Sequence, residues 1–227
     1  MKRIVVFCLF QAFVSLAFAD QVALTGWTGG LASSSAGDQL YAWRFDIGGS
    51  GVNVTALGVG DYDNNGLSIS HDVGIFRVSD QALLASATLP DGTGTTLLSG
   101  FRYLTLTSAI SLAPGSYVIV MTMPAFNADW QYIKTNTVTT TSPVTYLDSV
   151  LGVGSGLGYP SGGCTGCLNE GIFGPNFQFV VPTTGVPEPS AAALWTASGV
   201  ASALLLRRRR HRAYIRKVAS EQDAQLY

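Results

Sequence analysis

Asp61, Asp63 and Asn65 stand at alternate positions before Gly66, and Asp72 occupies the twelfth position of the same segment. The spacing fits D-x-[DN]-x-[DN]-G, in which hard oxygen ligands one residue apart surround Ca²⁺, glycine permits the sharp turn and a carboxylate at position twelve closes the loop. Here that last position is Asp, whose arm is shorter than that of Glu, and the flanks read as strands instead of helices. A competing and stronger reading is a polar turn between strands, with Asp and Asn side chains bonded to their own backbone. Calcium is thus the one cofactor that the sequence suggests, with Asp61, Asp63, Asn65 and Asp72 as its candidate ligands.

Cys164 and Cys167 form a C-x-x-C in the glycine-rich stretch Gly162-Gly163-Cys164-Thr165-Gly166-Cys167. The economical reading in an exported chain is a disulfide between them. A redox role would need a βαβ context, and zinc would need two further ligands where His71 is the one histidine between residues 20 and 185. That histidine has no G-x-S-x-G partner motif, and its expected role is a partly exposed loop residue or a backbone hydrogen-bonder. Glycoside hydrolysis needs two carboxylates in one cleft. Glu170 is the single Glu of the region, and no acid pair stands out among its Asp residues. The region therefore reads as non-enzymatic, with no catalytic residue assigned. Trp130 and Tyr132 share one face of a strand and are candidates to stack on sugar rings, although aromatic residues at that spacing more often belong to the core. The Thr-rich run from Thr135 to Thr141 offers a hydroxyl array and is equally explained as an exposed edge strand.

These residues need a scaffold, and composition limits its kind. Between Asp20 and Pro187, four basic residues against eleven acids leave a net charge of −7. That sign argues against nucleic acid as a partner, because phosphate binding needs clustered Lys and Arg. Strand-length runs at 40–47, 52–59, 72–78, 83–89, 101–107, 117–123, 129–134, 144–147 and 176–181 are separated by clusters of Gly, Asp, Asn, Ser and Pro. In Tyr41-Ala42-Trp43-Arg44-Phe45-Asp46-Ile47, aromatic and aliphatic residues alternate with small or charged ones, the mark of a strand with one face in the core. The expected fold is all-β: a single β-sandwich of jelly-roll type over residues 20–185.

Both ends read as address segments. Lys2 and Arg3 precede an apolar stretch, and Ala17-Phe18-Ala19 supplies small residues for a signal peptidase, so residues 1–19 are expected to be removed before Asp20. At the other end Pro187-Glu188-Pro189 precedes 17 uncharged residues at 190–206, then Arg207-Arg208-Arg209-Arg210-His211-Arg212. A helix of that length spans roughly 25 Å, near the lower limit for a bilayer, and the arginines would hold its end in the cytoplasm. Residues 213–227 would then form a cytoplasmic tail.

The segment 186–212 resembles the PEP-CTERM sorting domain, also called the ice-binding protein C-terminal domain. The resemblance implies that an exosortase recognises Pro187, Glu188 and Pro189, with Arg207, Arg208, Arg209 and Arg210 as the basic stop. Ala56-Leu57-Gly58-Val59, His71-Asp72-Val73-Gly74-Ile75-Phe76, Gly100-Phe101-Arg102-Tyr103 and Leu112-Ala113-Pro114-Gly115-Ser116-Tyr117 resemble an exported module of the DUF4082-like group, which carries no catalytic residues to transfer. Together these imply an exported protein, anchored in the inner membrane before sorting and later at the cell surface or outside it. The expected function is a non-enzymatic envelope or matrix protein associated with exopolysaccharide or biofilm. The alternatives are a secreted polysaccharide-acting hydrolase and an ice-binding or adhesive protein.

Overall fold

The computed structural model describes residues 19–32, 37–125, 129, 132–163 and 174–182. Among them the strands are β1 (Gln21–Val22), β2 (Leu24–Ala32), β3 (Gln39–Ile47), β4 (Val52–Gly60), β5 (His71–Arg77), β6 (Leu83–Leu89), β7 (Thr96–Leu98), β8 (Phe101–Leu112), β9 (Gly115–Met123), β10 (Tyr132–Thr140), β11 (Val144–Val153), β12 (Gly162–Gly163) and β13 (Pro175–Val180). All pairings are antiparallel. One sheet runs β1-β13-β4-β8-β7, a second runs β12-β11-β3-β9-β5-β6, and β10 with β2 makes a separate ribbon.

Period-two alternation decides which side chains meet between the two larger sheets. Tyr41, Trp43, Phe45 and Ile47 of β3 point into the core, where they join Ile119 and Met121 of β9, Val54 and Leu57 of β4, and Phe177 and Phe179 of β13. Trp43 is the largest fully buried side chain; its ring stacks on Phe177 at 6.0 Å, and its Nε1 donates to the Pro175 carbonyl at 2.8 Å. The six-stranded sheet is also covered on its outer face. Leu40, Ala42, Phe76, Val118, Val120 and Val150 lie beneath Leu157 and Tyr159, from the segment joining β11 to β12. That explains the unbroken apolar run Val118-Ile119-Val120-Met121 in β9, a strand buried on both faces.

The structure corrects the expected architecture in two respects. First, the fold is all-β, but it has three sheets instead of one jelly-roll sandwich. The ribbon of β2 and β10 packs through Trp27, which meets Tyr62 and Phe101 edge-on at 5.6 Å. Its start is tied to β13 by Asn176, whose Oδ1 accepts from the Leu24 N–H and whose Nδ2 donates to the Leu24 carbonyl, both at 3.0 Å. Second, no helix among the described residues is long and apolar enough to cross a membrane. The helix expected at 190–206, with Pro187, Glu188, Pro189 and the arginines at 207–210, lies outside the described residues. The anchored precursor and its surface destination rest on that helix and on the resemblance of 186–212, and the described residues lend the membrane reading no support.

Candidate functional site

The turn after β4 is built around a buried ion pair. Asp61 and Arg102 are 3% and 4% exposed, and the Asp61 Oδ2 lies 2.6 Å from the Arg102 Nε. The same carboxylate accepts the Gly66 N–H at 3.3 and 3.1 Å, while the Arg102 Nη1 donates to the carbonyls of Thr93 and Thr95 at 3.0 and 3.1 Å. Gly66 is required twice over. Its φ is +100°, and a Cβ there would come within 2.9 Å of the Gly92 carbonyl carbon and of Thr93.

This arrangement commits the candidate calcium ligands to other partners. Asp61 is committed to Arg102, Asp63 accepts from the Asn65 Nδ2 at 2.6 Å on the exposed turn, and Asp72 accepts from the Thr88 hydroxyl at 2.6 Å. Among the described residues no group of three or more His, Cys, Asp or Glu is placed to hold a metal ion. A cation bound through Asp61 would have to displace a buried guanidinium. Accordingly, the melting temperature in millimolar calcium should equal that in chelator, where an occupied site at a hundredfold excess over Kd would add about 2.7 kcal/mol. A calcium-dependent rise in a thermal melt would show that the ligands converge after all.

His71 is fully buried and bonds to the backbone, the second of its two expected roles and not the partly exposed one. Nδ1 lies 2.8 Å from the Thr122 carbonyl oxygen and Nε2 lies 3.3 Å from the Asp129 Oδ2. Both partners offer acceptor oxygens to the ring. Asp129 also accepts the Ser68 N–H at 2.7 and 2.9 Å. The carboxylate thus sits between serine and imidazole, the reverse of the order that would activate a serine nucleophile. Burial alone would raise the Asp129 carboxyl, but hydrogen bonds from His71 and Ser68 outweigh it and hold the group below its usual 3.8.

The sign of the resulting pH dependence follows from linkage. A carboxyl with a lower pKa in the folded state stabilises the fold above its unfolded pKa, and that contribution is lost as pH falls through the folded value. Chemical unfolding of the wild type should therefore show stability falling below about pH 4. Asp129→Asn should show a shallower acid dependence there and lower stability at neutral pH. Parallel acid profiles for the two proteins would count against the assignment.

The remaining candidates are scattered or out of view. Ala19 and Asp20 are exposed at the start of the described chain, whereas Ala17 lies outside it. Tyr132 opens β10 opposite Ala32, and Trp130, the other member of the sugar-stacking pair, lies outside the described residues. Cys164 and Cys167 likewise lie outside.

What sequence reasoning missed is a half-open groove of about 550 Å³ where the end of β5, the start of β6 and the β8–β9 turn meet. Its polar lining comes from Arg77, Ser79, Ser111, Ser116 and Tyr117, and Leu84, Ile110 and Pro114 supply apolar walls. The turn through Pro114 and Gly115 is fixed by the Tyr117 hydroxyl, which donates to the Ala113 carbonyl at 2.7 Å, while the Tyr117 ring stacks on Phe45 at 5.8 Å. Burial raises the Tyr117 pKa and the nearby Arg77 partly offsets it. Arg77 itself donates to Asp80 at 2.8 Å with both side chains about half exposed, so this pair is weak and its donors can exchange partners. Ser116 donates to Asp46 at 2.6 Å. The described residues that line the groove include no carboxylate, histidine or thiol. Hydroxyls, a guanidinium and apolar walls can bind a polyhydroxylated ligand, and the described lining holds no carboxylate pair of the kind glycoside hydrolysis uses.

Compared with protein-family models and with curated proteins, the chain matches none of them.

Proposed function

We propose that the domain is a non-enzymatic, adhesive polysaccharide-binding protein whose ligand lies in the groove between Arg77 and Ser111. The observation that carries this reading is the lining itself. It combines hydrogen-bonding side chains with apolar walls, and its described residues include no carboxylate or histidine to serve a hydrolase. The buried His71–Asp129 pair, closed to solvent at 0% and 9% exposure, offers no second centre. The net charge of −7 between Asp20 and Pro187 disfavours a polyanion, so the reading takes the ligand to be an uncharged polysaccharide.

Affinity electrophoresis through gels containing neutral or uronic-acid-rich polysaccharides tests the idea. The wild type should be retarded in the neutral gel, and Ser111→Trp, which fills the groove from an exposed position, should run freely. Arg77→Ala should weaken binding about tenfold, the loss of one charge-assisted hydrogen bond. Release of reducing ends from a polysaccharide would instead identify a hydrolase.

A further inference from the structure

β6 is the last strand of the six-stranded sheet. It pairs with β5 from His71↔Leu89 to Phe76↔Leu83, and no described strand pairs with its other side. Such an edge exposes a row of N–H and C=O groups, and proteins ordinarily blunt it with lysine, proline, an inward charge or a bulge. β6 has little of this. From Gln81 through Pro90 the chain has no charged residue, and its single bulge, at Leu84 opposite Ile75/Phe76, leaves Ala85 to Leu89 in regular register.

A second observation points the same way. Leu83 on β6 is 48% exposed, and Leu97 and Leu98 on β7, the edge strand of the other sheet, are 39% and 42% exposed. β6 also packs against β8, the neighbour of β7, across the sandwich. The uncharged edge and three of the exposed leucines therefore lie at one rim of an acidic domain.

We infer that β6 pairs antiparallel with β6 of a second copy about a two-fold axis through Ser86, joining two six-stranded sheets into one. In that register Ser86 faces Ser86 of the second copy and Ala85 faces its Ala87. Small side chains at the centre suit strands separated by about 4.8 Å. The occupant is another copy of this chain because a two-fold axis makes the strand its own complement. Between Asp20 and Pro187 each copy carries a net charge of −7, and a close approach of two such domains is least opposed where both surfaces are uncharged. A dimer carries two grooves, so avidity would add to whatever each groove binds. The pairing itself does not depend on that function.

Sedimentation of the full chain from about 1 µM to 1 mM tests the inference. A reversible monomer–dimer equilibrium is expected. Ser86→Lys, at an exposed position, places like charges opposite each other and should weaken the dimer about tenfold or more with an unchanged melting temperature. Ser86→Cys should give an oxidised dimer whose peptide map contains the link between the two residues 86. A wild type that stays monomeric over the whole range overturns the inference. So does a dimer that Ser86→Lys leaves as tight as before, or oxidised Ser86→Cys protein without that link.

Discussion

Asp61→Ala should destabilise the domain by about 3 to 5 kcal/mol, because it leaves the guanidinium of Arg102 buried without its counter-charge. Arg102 is 4% exposed and bonds to two further carbonyls, so it cannot swing into water without releasing the 93–95 segment. Asp61 in turn holds the Gly66 N–H, and the turn should loosen as the pair is broken. Replacing both partners with apolar residues of similar volume, Asp61→Leu with Arg102→Met, should cost less than the single change, because no buried charge remains. Urea unfolding of the single and double variants measures the difference. A single-variant loss below about 1 kcal/mol, the range of an exposed pair, would mean that the charges are solvated.

Trp43→Ala should cost about 3 to 5 kcal/mol from the cavity alone. Trp43 is fully buried between Phe45 and Phe177, at ring separations of 5.1 and 6.0 Å, and the cavity would open between the two sheets. Its Nε1 also satisfies the Pro175 carbonyl, which would be left without that partner. Trp43→Phe should fall well short of the alanine loss, since it keeps most of the ring volume and gives up only the hydrogen bond and the residual space. Thermal unfolding of both variants checks the order; equal losses would assign the effect to the hydrogen bond instead of to packing.

Period-two alternation made the central strands legible, and β3, β4, β5, β6 and β9 lie within a residue or two of where the sequence put them. β2 was not legible, because Gly26, Gly29 and Gly30 interrupt its pattern and its pairing with β10 is fixed by residues a hundred positions away. β8 runs five residues past its expected end at Thr107. A register shift opposite Val54/Ala56 absorbs the polar stretch around Ser108 without ending the strand. The Asp61–Gly66 segment announces a tight turn through its Asp, Asn and Gly. Its partner Arg102 is 41 residues away, and no local pattern reveals that the carboxylate is already committed. The groove was invisible for the same reason: Arg77, Ser111 and Ser116 are unremarkable in sequence and acquire meaning only when the β5–β6 and β8–β9 turns meet.

The central claim is that this groove binds an uncharged polysaccharide without acting on it. Amide chemical shifts followed during titration with a neutral oligosaccharide test it most directly. The account predicts saturable shifts concentrated at Arg77, Ser79, Ser111, Ser116 and Tyr117, abolished in Ser111→Trp, with the oligosaccharide recovered intact. Shifts confined to another surface, or an oligosaccharide cleaved during the titration, would contradict it.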